Sequence, residues 1–167
     1  MGESTILSNL NFTIKEASVN DASVILDFIK QIAEYEKLSH EVVGQVDDII
    51  NSFFCEHPKV FCVIGYHQNK AVGYAIYFFN YSTFLGKHGL YLEDLFVMPE
   101  FRGKGFGKEL LIYLTKIALN NNCGRMEWSV LDWNTPAINF YKSLHAKPLE
   151  EWTIFRLTEA ELRELNS

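Results

Sequence analysis

Residues 102–108 read Arg-Gly-Lys-Gly-Phe-Gly-Lys, so Arg102, Lys104 and Lys108 surround the three glycines Gly103, Gly105 and Gly107. The glycines strip side chains from a turn, and the basic residues bring positive charge to it. The turn runs straight into an apolar-periodic stretch that begins at Phe106 and reads as a helix. A helix start presents N–H groups without intrahelical acceptors and the positive end of the dipole. That combination binds phosphate. Two well-known phosphate loops fail on spacing. Counting a Walker A loop back from Gly107-Lys108 puts Arg102 where the first glycine belongs and Glu109 where the hydroxyl belongs. A dinucleotide fingerprint needs its third glycine one residue beyond Gly107, and its acid at a strand end, whereas Glu127 reads as mid-strand. What remains is Arg102-x-x-Gly105-x-Gly107 after a strand. It fits a phosphate-bearing cofactor or a glycine-rich turn with no ligand.

Carboxylates are the second chemical feature. Glu93 and Asp94 sit inside the mostly apolar run 90–97, which reads as a strand buried on both faces and ended by Pro99. A carboxylate there is costly unless it is paired, faces water at an edge, or has work of its own. Neighbours on a regular strand point to opposite faces, so the two acids line one pocket only if the strand is distorted. Tyr35 and Glu36 end the first helix, where an acid opposes the dipole. A solvated helix end and a binding role both fit that position. Asn134 caps a later helix with Pro136 in its first turn. Tyr141 lies on that helix beside Phe140, and on spacing alone it is a packing aromatic. The three cysteines, Cys55, Cys62 and Cys123, show no metal-ligand spacing, and no metal site is expected. They read as reduced, buried thiols of a cytoplasmic protein. The five histidines share no spacing.

These groups need a frame. A length of 167 residues suits a single domain, 1–167, with residues 1–10 expected to fray. The hydrophobic share of 48% fits a packed core. A net charge of −6 argues against nucleic acid as a partner. No apolar run is long enough to span a membrane, and no leader peptide is expected. The patterns predict a strand at 11–16, then a helix from the capping box of Ser18 and Asp21 to about Leu38. They predict a short helix at 46–54 and strands at 59–67 and 70–81 joined through Gln68-Asn69. A helix from Phe106 should stop near Gly124 with a left-handed cap there. A strand at 125–131, the Asn134 helix, a strand at 153–157 and a short polar helix complete the order. The fold class is mixed α/β, with a sheet of six to seven strands flanked by helices.

Taken together, five segments make the chain resemble the GNAT acetyltransferase superfamily over essentially its full length. They are 32–38 (IAEYEKL), 91–98 (YLEDLFVM), 102–107 (RGKGFG), 130–134 (VLDWN) and 138–142 (INFYK). Within it the chain is similar to the diamine acetyltransferases, which include spermidine/spermine and thialysine enzymes. Glu-Lys-Leu-Ser near residue 36 and Leu-Asp-Trp-Asn at 131 look more like the thialysine branch. The resemblance implies acetyl-CoA as co-substrate and acetyl transfer to a primary amine of a small cationic metabolite, with direct attack in a ternary complex. It implies Glu93 as the group that draws off the amine proton and Tyr141 as the acid for the coenzyme thiolate. It implies a bulge in the 90–97 strand that turns the N–H groups of Leu95 and Val97 to the cofactor. Phe96, Arg102, Gly103, Lys104, Gly105, Phe106, Gly107 and Lys108 would join them, with Asn134, Pro136, Ala137 and Tyr141 along the pantetheine arm. Tyr35, Glu36, Glu93 and Asp94 would hold substrate, together with Glu151 and Trp152. The stretch 149–152 is shorter than its family counterpart. A homodimer is the implied assembly. Two other functions fit the scaffold: acetylation of a protein or peptide amine, and acyl-CoA binding without catalysis.

Overall fold

In a computed structural model, residues 11–167 are described, and the segment expected to fray lies outside them. The chain divides into two compact units, one ending at Ser129 and one spanning Val130–Ser167. The first holds a five-stranded sheet in sequence order. Strand β1 (Phe12–Glu16) pairs antiparallel with β2 (Phe61–His67), which pairs antiparallel with β3 (Lys70–Ser82). Strand β4 (Lys87–Val97) runs antiparallel to β3, and the short β5 (Arg125–Trp128) lies parallel to β4. Gln68 and Asn69 both take left-handed φ, 50° and 64°, as a tight turn matched to strand twist requires.

Helices cover both faces. The Ser18 N–H and hydroxyl both donate to Asp21 at 2.8 Å, closing the expected capping box ahead of α1 (Ala22–Tyr35). Ile25, Leu26 and Phe28 of α1 and Ile49 of α2 (Val46–Phe53) pack on Ile64, Tyr74, Ile76 and Phe96 of the sheet. Gly65 follows Ile64 and so faces the other side, where an added Cβ would stand 3.6 Å from Leu110 of α3 (Phe106–Asn120). Leu110 and Leu114 of α3 are fully buried, worth roughly 1.5–3 kcal/mol each.

Four expectations need correction. Helix α1 stops at Tyr35 because Lys37 turns to φ 62°, so Leu38 lies beyond it. Helix α3 ends at Asn120, and Asn122 (φ 54°) takes the left-handed position foreseen for Gly124. Gly124 instead lies close to Leu85, whose exposed side chain would stand 3.0 Å from a Cβ built there. Cys55 is exposed, whereas Cys62 is buried as expected. The sheet has five strands, not six to seven. Residues 153–157 have strand-forming residues but pair with no strand among the described residues, and Ile154 and Phe155 are exposed. A strand is made by its partner's hydrogen bonds as much as by its own propensity. In the second unit, α4 (Thr135–Ser143) and α5 (Glu159–Leu165) match the remaining helices.

Candidate active site

Strand β4 carries a bulge at the acids, but only Asp94 enters the pocket on the α1 side. Tyr77 stands opposite Leu92 and Ile76 opposite Asp94, so Glu93 is surplus to the ladder. Cross-strand partners share a face. Leu92, fully buried, therefore lies on the side of Tyr77, while Asp94 joins Ile76 on the α1 side two residues later. Without the bulge these two side chains would share one face. Glu93 itself is exposed.

The bulge also separates β4 from β5. The Met98 N–H donates to the Val72 carbonyl on β3 at 2.9 Å. Alternate N–H groups of a strand point to opposite sides, so those of Val97 and Leu95 point away from β3. Strand β5 pairs only with Gly89–Leu92, and so ends before it reaches them. Neither of these two backbone donors has an acceptor on β5.

On the α1 side, Asp94 enters a pocket of about 320 Å³ together with Glu36, the residue that caps the C-terminus of α1. Ile29, Ile32, Leu38, Val42 and Ile49 supply apolar walls. Tyr74, fully buried and stacked on Phe28 at 5.2 Å, donates its hydroxyl hydrogen to Asp94 Oδ2 at 2.9 Å. Burial lifts the Asp94 pKa above its ordinary value, and the Tyr74 hydrogen bond only partly opposes that. Glu36 is raised as well, by burial first and by the charge of Asp94 second. Among the described residues no lysine, arginine or histidine forms an ion pair with either. Two coupled carboxylates in an apolar pocket favour a cation.

The glycine turn presents its backbone. Gly103 and Gly105 take φ 73° and 84°, which side chains rarely adopt, and nothing stands within 4 Å of a Cβ built on either. Gly105 is the N-cap of α3 and has no side chain to satisfy the first N–H groups of the helix. The Arg102 Nε donates to the Val97 carbonyl at 2.9 Å, and its guanidinium lies 4.7 Å from the Tyr35 ring centre. Lys104 lies 4.9 Å from the ring centre of Phe101. Phe106 and Phe96 are buried, and Phe106 stacks on Phe12 at 4.2 Å. These two anchor the turn to the core, and their side chains are committed to packing.

Residues 28–146 match the acetyltransferase (GNAT) family. The chain belongs to that family. It is 39% identical over 163 residues to a thialysine N-epsilon-acetyltransferase of Mus musculus, covering 91% of this chain and 95% of that one. It is 33% identical over 164 residues to spermidine/spermine N(1)-acetyltransferase-like protein 1 of Homo sapiens, covering 92% of this chain and 24% of that one. An integron cassette protein from the mobile metagenome of V. cholerae shares its fold with a TM-score of 0.79 at 26% identity, covering 94% of this chain and 98% of that one. The chain is an N-acetyltransferase with the mixed α/β fold of its family.

In this acetyltransferase the structure gathers only part of the expected substrate set. Glu36 and Asp94 share one pocket, Tyr35 stacks with Arg102, and Glu93 is exposed at the bulge. Glu151 and Trp152 are exposed residues of the second unit. There Asn134 caps α4 by accepting from the Ala137 N–H at 3.3 Å, with Pro136 in the first turn. Tyr141 lies on the same helix with its ring 5.2 Å from that of Phe140. Sequence reasoning missed Tyr74 and the pocket walls. The i, i+3 pair Ile29 and Ile32 was visible as an apolar face, but nothing local separated core from pocket wall.

Proposed function

We infer that this enzyme transfers acetyl from acetyl-CoA to a primary amine of a small metabolite that carries a second cationic amine. Thialysine, lysine analogues, diamines and polyamines are the substrate class. The observation that carries the reading is the pair Glu36 and Asp94, two carboxylates with raised pKa in one apolar pocket and no basic partner among the described residues. An aliphatic chain suits the walls and an ammonium suits the acids. The names of the two relatives above point to the same class.

Acetyl-CoA brings an activated thioester and a pyrophosphate. The open side of Gly103 and Gly105, where an added Cβ meets no atom within 4 Å, fits that pyrophosphate at the start of α3. Arg102, Lys104 and Lys108 add the matching charge. The N–H groups of Leu95 and Val97 are the donors assigned to the thioester carbonyl, where negative charge develops. Glu93 draws off the proton of an amine whose ordinary pKa is ~10. The amine nitrogen then attacks the carbonyl carbon, the C–S bond breaks and the nitrogen gives up its second proton to solvent, with no covalent enzyme intermediate. Tyr141, by family resemblance, returns a proton to the thiolate, with Asn134, Pro136 and Ala137 along the pantetheine arm. The same resemblance carries cytoplasmic location and a homodimer.

Coenzyme A release is the direct test, measured with thialysine, lysine, putrescine, spermidine, spermine and a short lysine peptide. Turnover of the dibasic metabolites above the peptide is expected. Turnover of the peptide alone would overturn the substrate class. Silence on all six, with acetyl-CoA still bound, would make the protein an acyl-CoA-binding module.

A further inference from the structure

Tyr74 is an odd residue for its place. It sits in the middle of β3, within an otherwise apolar stretch, and is fully buried. Phenylalanine would fill the same space between Phe28 and Phe96 without a hydroxyl to satisfy. A buried hydroxyl is costly unless it is bonded, and this one has Asp94 Oδ2 at 2.9 Å. Asp94 is the first residue beyond the surplus Glu93 and is only half-buried. A short side chain beside a bulge has several orientations open to it. The Tyr74 hydroxyl, fixed by two aromatic contacts, selects one of them.

We propose that Tyr74 is a positioning residue for the substrate, its hydroxyl holding the Asp94 carboxylate toward the pocket so that Asp94 and Glu36 together receive the amine that is not acetylated. The inference rests on the function proposed above. Its physical content is directional. A hydroxyl can orient one oxygen of a carboxylate and leave the other to a ligand, which a hydrophobic wall cannot do. The groups that act on or with Asp94 are Tyr74 on β3, Glu36 at the end of α1 and the Cys62 thiol on β2, and Glu41 lines the same pocket. Tyr74 is the one that donates to Asp94. Burial and the neighbouring Asp94 raise the Tyr74 phenol well above its ordinary pKa, so it remains a donor across the working range.

The test compares Tyr74→Phe with wild type on a dibasic amine and on a monoamine of the same length. The substitution removes one oxygen and keeps the ring. KM for the dibasic amine should rise about ten-fold, as for a lost hydrogen bond to a charged group, while kcat and KM for acetyl-CoA change little. The monoamine should lose far less. Without its donor Asp94 takes up a proton at higher pH, so the acidic limb of kcat/KM for the dibasic amine should move to higher pH. Asp94→Glu supplies a second variant that leaves the Tyr74 side chain intact. It keeps the charge but carries it one methylene past the hydroxyl, and it too should lose the dibasic preference. Equal losses on both amines, or an unmoved acidic limb, would overturn the positioning role and leave Tyr74 as packing. A wild-type enzyme that prefers dibasic amines while both variants retain that preference would overturn the inference alone. A wild type silent on every amine would overturn the proposed function as well.

Discussion

In the function proposed above, the glycine turn and the acid pocket would both select for charge, by opposite means. The turn offers backbone: positive φ at Gly103 and Gly105, and a helix start with no side-chain cap. The pocket offers side chains, Glu36 and Asp94, brought in from a helix end and a bulged strand. Backbone donors cannot be retuned by titration, so the turn should hold its anion over a wide pH range. Carboxylates pushed upward by burial are tuned to their surroundings, and so should bind their cation in a pH-dependent way. Recognition of a constant co-substrate suits the first device, and choice among amines suits the second.

The sharpest way to break this comparison is to give the turn a side chain. Gly105→Val places a β-branched residue at φ 84° and fills the space that is empty within 4 Å. The conformation alone costs about 1–2 kcal/mol. Loss of the anion's approach to the α3 N-terminus should add to that, so acetyl-CoA affinity measured by calorimetry should fall at least about 100-fold, while the pocket's preference among amines persists in whatever activity remains. Unchanged acetyl-CoA affinity would show that the turn carries no ligand.

The two devices also differed in legibility. Arg102, Gly103, Gly105 and Gly107 were readable because a turn is local: the residues that define it are adjacent in the chain. The Ser18–Asp21 capping box and the Gln68-Asn69 turn were readable for the same reason. The pocket was only half-readable. Glu36 and Asp94 stood out as misplaced acids, but their meeting depends on a register shift between Ile76 and Tyr77 that no local pattern marks. Tyr74 was invisible because its partner lies 20 residues away on another strand. Residues 153–157 failed for a related reason. Their propensity was plain, and the partner that a strand needs was not. Gly124 misled because its φ is not left-handed, and Asn122 takes that position instead.

Glu36→Gln sharpens the comparison from the pocket side. It keeps size and removes charge, so KM for a diamine should rise about ten-fold, the range of one charged interaction in a partly buried site. A monoamine should be nearly unaffected, and so should acetyl-CoA. Steady-state kinetics on the matched pair decide it. Equal losses on both amines would mean that Glu36 supports the fold of the α1 end and not the second amine.

The smallest effect is on stability, and its sign separates the two devices most cleanly. Asp94 and Glu36 have pKa values raised in the folded chain above their ordinary values of 3.8 and 4.5. Between those ordinary values and the raised ones, the folded chain binds more protons than the unfolded chain. Stability without ligand therefore falls as pH rises through that window. Removing the charge should relieve the cost. Asp94→Asn should raise the melting temperature of the ligand-free enzyme at neutral pH by a few degrees, and should flatten its decline as pH rises above the ordinary Asp94 value of 3.8. The same variant should bind a diamine worse. A dibasic ligand should raise the wild-type melting temperature more than that of Asp94→Asn, since the ammonium compensates charges that the variant has lost. If Asp94→Asn melts lower at every pH, the carboxylate serves the fold through Tyr74 more than it opposes it, and the pocket is a structural acid site rather than one built at the expense of stability for a cation.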